Sequence, residues 1–124
     1  MKKEICAYCG AERNNMKTTR EYLLQLHDNM TAKAKKIMEV KNSDYGANQD
    51  ALHNFRLCEQ LYIPMEIGIL TRLCDKIARI GNLINKPNRV LDETIQDTII
   101  DTINYMIILN AALEERKEKE KEAK

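Results

Sequence analysis

The chain has 124 residues, of which 44% are apolar and 31% charged, with one Phe, no Trp, four Gly and two Pro. That length supports one domain around a single core, and so few Gly, Pro and aromatic residues favour helices over a turn-rich sandwich. Twenty basic residues against 19 acidic ones leave a formal charge of +1, so nothing in the balance calls for a nucleic acid or an anionic membrane as partner.

No apolar run nears the roughly 20 residues needed to cross a bilayer, and the opening "MKKEICAYCG" lacks the apolar stretch of a secretion signal. The expectation is a cytoplasmic protein whose four cysteines, Cys6, Cys9, Cys58 and Cys74, are reduced thiols. Cys6 and Cys9 have the spacing of half a zinc knuckle, but tetrahedral zinc needs four ligands and no second pair follows. Two readings stand: zinc completed by distant residues or a second subunit, or an arm with two incidental thiols. Cys58 and Cys74 lie among apolar residues and read as buried small hydrophobes.

Residues 1–17 show no periodicity and read as an N-terminal arm or small appended element carrying the CxxC. From Thr18 or Thr19 as N-cap, Leu23, Leu26, Met30, Ala34 and Ile37 mark one face of a first long helix through about residue 41. "KNSDYGANQD" has turn chemistry and predicts a loop. Leu52, Phe55, Cys58 and Leu61 predict a short second helix, interrupted at "YIPMEIG" because Pro64 disfavours helix at the residue before it.

A third helix follows over 69–84, with Ile69, Leu70, Leu73, Ile77, Ile80, Leu83 and Ile84 on one side and Arg72, Asp75, Lys76, Arg79 and Asn82 on the other. "NKPNR" ends it, and Asp92 is a suitable N-cap for a last helix carrying Ile95, Ile99, Ile100, Ile103, Met106, Ile107 and Leu113. "EERKEKEKEAK" continues as a solvated, charged helical tail. The predicted fold is all-α: a compact bundle of about four helices over 18–113, with the arm before it and the tail, 114–124, after it.

The stretch "DETIQDTIIDTINY" spaces Glu93, Asp97 and Asp101 four residues apart, and the same step reaches Tyr105. Side chains four apart on a helix are neighbours, so these carboxylates repel unless a cation or a metal lies between them. The apolar residues around Asp101 and Asn104 predict that both lie at least partly inside the bundle, where an unpartnered carboxylate is costly. Arg72, Lys76 and Arg79 are available as partners on the third helix. Carboxylates facing inward from neighbouring helices build divalent-metal sites, and bases beside them neutralise a polyphosphate. A salt-bridge network that fixes helix register fits the same spacing.

"KNSDYG", "RLCDKIARIGNL" and "DETIQDTIIDTINY" together resemble the phage and bacterial nucleotide modification associated domain 1 family, itself similar to the all-α nucleoside triphosphate pyrophosphatases of the MazG and dimeric dUTPase type. The resemblance spans about residues 30–113. It implies a site made of Asp44, Tyr45, Asp75, Lys76, Arg79, Glu93, Asp97, Asp101, Asn104 and Tyr105, to which the charged stripe of the third helix adds Arg72. Asp75, Glu93, Asp97 and Asp101 would hold Mg²⁺ and act in catalysis, the bases would hold phosphates, and Tyr45, Asn104 and Tyr105 would contact base or sugar. Those enzymes also carry an ExxE pair on an early helix, where this chain has only Glu39.

The first expectation is therefore a Mg²⁺-dependent nucleoside triphosphate pyrophosphohydrolase, or a related factor in phage nucleotide metabolism, acting in the host cytoplasm. The second is a non-catalytic binder that sequesters a nucleotide messenger of host antiviral defence. A helical interaction module whose polar stripes only pair internally is the third. A pocket in so small a bundle is often completed at a subunit contact, so a homo-oligomer is expected.

Overall fold

The structure is a computed structural model describing residues 3–5, 12–14, 17–44, 50–86 and 93–123, with the backbone alone at 3–5, 12–14, 42–44, 93 and 94. Two short strands, β1 (Lys3–Ile5) and β2 (Glu12–Asn14), precede four helices: α1 (Arg20–Asp44), α2 (His53–Gln60), α3 (Met65–Ile84) and α4 (Glu93–Glu122). The predicted all-α bundle is present. The arm contains an antiparallel hairpin in which Glu4 pairs with Arg13, and β2 lies against α1. Cys6 and Cys9, between the strands in sequence, lie outside the described residues.

Thr19 caps α1 as its position predicts: its hydroxyl accepts the Tyr22 N–H at 3.1 Å, satisfying one of the helix's open donors. Two boundaries differ from the sequence reading. Helix α1 runs to Asp44, so residues 41–44 of the expected loop are helical; Asn, Ser and Asp each cost well under 1 kcal/mol in a helix, too little to end one already propagating. Helix α3 begins at Met65, not Ile69, because Pro64 at the N-cap interrupts the chain before it and leaves the following turn free to be helical.

Between α2 and α3 the chain turns through a Schellman arrangement, in which the Ile63 N–H reaches the Cys58 carbonyl at 2.9 Å and the Tyr62 N–H reaches that of Glu59 at 3.0 Å. Tyr62 occupies the left-handed position there with φ of 61°, a conformation costing an ordinary L-residue about 1–2 kcal/mol. Its side chain is fully exposed and loses nothing on removal. Tyr62→Gly should therefore raise the urea midpoint, with a gain in unfolding free energy of up to about 1 kcal/mol once glycine's greater freedom in the unfolded chain is offset; a lower midpoint would show that the ring makes a stabilising contact.

Helix α4 is the central element, packing on both α3 and α1, while α2 packs on α3. Leu52, Met65, Ile69, Leu73 and Ala112 form the buried core, with Phe55, Tyr105 and Ile108 against it. The contacts Glu66–Arg116, Arg72–Tyr105 and Lys76–Asp101 show that α3 and α4 run antiparallel. Helix α2 approaches α3 closely: a Cβ on Gly68 would meet the Cys58 sulfur at 2.5 Å.

Only part of each predicted apolar face is covered. Ile69, Leu73, Ile95 and Ile100 are buried, but Leu70, Ile77 and Ile84 on α3 and Met106, Ile107 and Leu113 on α4 are exposed, because α3 and α4 spend one side each on the other and, among the described residues, no helix covers these positions. Cys74 is exposed rather than buried, and Cys58 is half-buried.

Arg56 anchors α2. Its guanidinium grips Asp50 through Nε and Nη2 and Glu115 of α4 through Nη1 and Nη2, at 3.1 and 2.9 Å for the latter pair. Asp50 Oδ1 also accepts the Leu52 N–H. Arg116 pairs with the nearly buried Glu66 at 2.6 Å, so the first turns of the charged tail hold α2 and α3 in place. The Arg56 hydrogen bond holds the Asp50 carboxyl below its usual 3.8. A lowered native value contributes stability above pH 3.8 that is lost as pH falls through that value. Asp50→Asn should thus flatten the acid limb of the melting curve below about pH 4; an unaltered limb would assign acid unfolding to other carboxylates.

Candidate functional site

Where α1, α2, α3 and α4 meet, a cavity of about 440 Å³ opens, walled by Met38 and Lys41, by Asn54, Phe55 and Cys58, by Arg72, and by Asp101, Asn104, Tyr105 and Ile108. The sequence places these residues simply. Asp101, Asn104, Tyr105 and Ile108 fall three, four and seven residues along α4 and share a face of it, and Phe55 comes from α2, which the Arg56 clamp ties to α4.

Asp101 is the electrostatic centre, with Lys76 Nζ at 3.3 Å from one oxygen and Lys41 Nζ at 3.8 Å from the other. Arg72 Nη2 donates to the Tyr105 hydroxyl at a long 3.5 Å, a contact that raises the Arg72 pKa further. Lys76 Nζ lies 6.0 Å from the Tyr105 ring centroid, within cation–π range. Phe55 meets that ring edge-on, with centroids 6.2 Å apart and planes at 80°. Two lysines thus flank one carboxylate, and Arg72 lies on the adjoining Tyr105 hydroxyl, so the wall's Lys41 and Arg72 outnumber its one carboxylate, Asp101.

Asn104 is 8% exposed. Its Nδ2 donates to the Ala34 carbonyl at 3.0 Å, which joins α4 to α1 and fixes the amide's orientation. Its Oδ1 is buried without a hydrogen-bond partner. An unsatisfied buried acceptor costs about 1–3 kcal/mol, and this one belongs to a residue of the cavity wall.

Of the residues predicted for a site, Arg72, Asp101, Asn104 and Tyr105 come together here, with Lys76 beside them. Asp75 and Arg79 line a separate groove along α3 of about 590 Å³, shared with Arg72, Lys76, Asn82 and Lys86. Asp97 is exposed. The side chains of Asp44 and Glu93, and all of Tyr45, lie outside the described residues. Among the described residues no three His, Cys, Asp or Glu side chains stand close enough to hold a metal, so Asp75, Asp97 and Asp101 do not form one cage. Sequence reasoning missed Lys41, Asn54 and Phe55. Lys41 falls at the expected boundary between helix and loop, and Phe55 has the spacing of ordinary core.

Set against models of protein families, curated proteins and solved structures, the chain matches none of them.

Proposed function

We propose that the four-helix cavity binds a nucleotide, intact and without metal. The observation that carries this reading is that Asn104, whose buried Oδ1 has no partner, belongs to the wall of a cavity with an aromatic pair and surplus positive charge. A buried acceptor takes an N–H donor, which the edge of a nucleobase offers. Tyr105 and Phe55 supply apolar ring surface for a planar base. Lys41, Lys76 and Arg72 complement phosphate, Arg72 through a planar fork suited to its oxygens. In this reading Asp101 keeps the two lysine ammoniums in position until phosphate takes the carboxylate's place against them. The resemblance to the nucleotide modification associated domain 1 family supports the same ligand class, and sequestration of a nucleotide messenger in a phage's host cytoplasm is the corresponding role.

A Mg²⁺-dependent pyrophosphohydrolase is the second reading, favoured by Glu93, Asp97 and Asp101 at successive turns of α4. The described donors do not fit a Mg²⁺ cage, since Asp75 faces another groove and no three carboxylates converge. We also read the protein as a homo-oligomer, because α3 and α4 leave apolar residues uncovered.

Incubating the protein with pooled ribo- and deoxynucleoside triphosphates and cyclic nucleotides, with Mg²⁺ or with EDTA, tests both readings. Chromatography of the supernatant and of heat-released ligand should recover intact nucleotide from the protein in EDTA. Monophosphate formed only with Mg²⁺ would move the assignment to hydrolysis, and no retention or turnover would end both.

A further inference from the structure

Along α3, Ile67, Leu70, Cys74, Ile77, Gly81 and Ile84 follow one another at alternating steps of three and four, the spacing of a coiled-coil seam. Five of the six are exposed side chains or, at Gly81, exposed backbone, and Ile67 is exposed as well, so the whole line faces outward. It carries no charge over six positions. Ile69, Leu73 and Lys76 face α4, whereas Gly68, Arg72, Asp75 and Arg79 turn a quarter-circle one way, to the side covered by α2. The apolar seam turns a quarter-circle the other way.

On α4 the line Ile99, Ile103, Met106, Asn110 and Leu113 repeats the same steps. It lies opposite the face that Asn104 presents to α1, and the antiparallel winding of α3 and α4 brings the two lines to one side of the pair, away from α1 and α2. Met106 and Leu113 are exposed there, and Ile99 and Ile103 half-buried.

We propose that a second copy of this chain covers this face, with α3 packed antiparallel on its symmetry mate. The seam is complementary to its own reverse. Turned about a two-fold axis between Cys74 and Ile77, Leu70 meets Gly81, Cys74 meets Ile77, and Ile67 meets Ile84, so large residues face small ones at the centre and branched residues close the ends. Gly81 has nothing within 4 Å of where a Cβ would stand, which leaves space for the partner's Leu70. Asn110, at a seam position of α4, is the residue type that fixes register in such contacts.

The area is sufficient. Eighteen residues of helix give a face ~27 Å long and two helices make it ~20 Å wide, about 500 Å² per protomer. The pair then buries about 1,000 Å², the lower bound for a specific interface. The proposal rests on the homo-oligomer reading and names its interface, leaving the nucleotide cavity on the opposite side of α3 open.

Sedimentation equilibrium of the full chain at tens of micromolar, with circular dichroism to monitor folding, tests it. Wild type should sediment at twice its 14.4 kDa mass. Ile77→Asp should sediment at the single mass with helicity unchanged, since Ile77 is 60% exposed in the protomer. Gly81→Leu should do likewise with helicity retained, because it favours the isolated helix and obstructs only the mate. Leu24→Asp, at an exposed apolar residue of α1, should remain a dimer. A wild-type monomer would overturn both the interface and the homo-oligomer reading. A dimer that survives Ile77→Asp and Gly81→Leu would overturn the interface and leave the oligomer standing.

Discussion

Asn104→Leu is expected to weaken nucleotide retention by about 10–100-fold while leaving the melting temperature unchanged or higher. The two effects separate because Asn104 has two polar atoms with different partners. Leucine gives up the Nδ2 bond to Ala34, worth about 1 kcal/mol net. It also removes the unpaired Oδ1, whose burial costs the empty protein a similar amount or more. Loss of the ligand's N–H partner has no such offset. Retention by Asn104→Leu equal to wild type would take the amide out of the site. A fall of many degrees in melting temperature would make it a structural bond between α1 and α4 and nothing else.

Ile69→Ala is expected to lower unfolding stability by about 2–5 kcal/mol, a large share of the 5–15 kcal/mol a domain of this size carries. Ile69 is fully buried among Met65, Leu73 and Ala112, and close-packed neighbours collapse only partly into the space left behind. Ile107→Ala is the matched control. It removes the same atoms from a residue 54% exposed on α4, where the change should stay within about 0.5 kcal/mol beyond helix propensity. Urea unfolding of both variants decides the point. Similar losses would mean that Ile107 is covered in solution by something beyond the protomer.

The helices were legible because their signals are local. Thr19, Pro64 and the three-and-four spacing of isoleucine and leucine act within a turn or two, and the resulting elements fall where they predict, to within four residues. Which apolar residues become buried was not legible in the same way. Ile69 and Ile77 are the same residue type on the apolar side of α3, about 80° apart around the helix, yet α4 covers the first and not the second. That distinction depends on how many helices exist to do the covering, which periodicity along one helix does not encode.

The site divides along the same line. Asp101, Asn104 and Tyr105 were found because one helix sets their spacing, and Arg72 and Lys76 because they sit on one stripe of its neighbour. Lys41, Asn54 and Phe55 reach the cavity only through tertiary packing, Asn54 and Phe55 on the helix that the Arg56 bridge ties to α4 and Lys41 on the helix that Asn104 joins to α4. The same stripe that delivers Arg72 and Lys76 to the cavity carries Asp75 and Arg79 past it into the outer groove. Helical spacing alone grouped all four, since a charged stripe can face two different cavities along its width.

The most direct test of nucleotide binding in the four-helix cavity is a titration of isotope-labelled protein with ATP, dATP, GTP, dGTP and a cyclic nucleotide, each in EDTA, followed by amide and side-chain NMR shifts. The account predicts that at least one of them moves the Asn104 Nδ2 resonances together with the backbone of Lys41, Phe55, Arg72, Asp101 and Tyr105. Shifts confined to Asp75, Arg79, Asn82 and Lys86, or no shifts with any of the five, would contradict it.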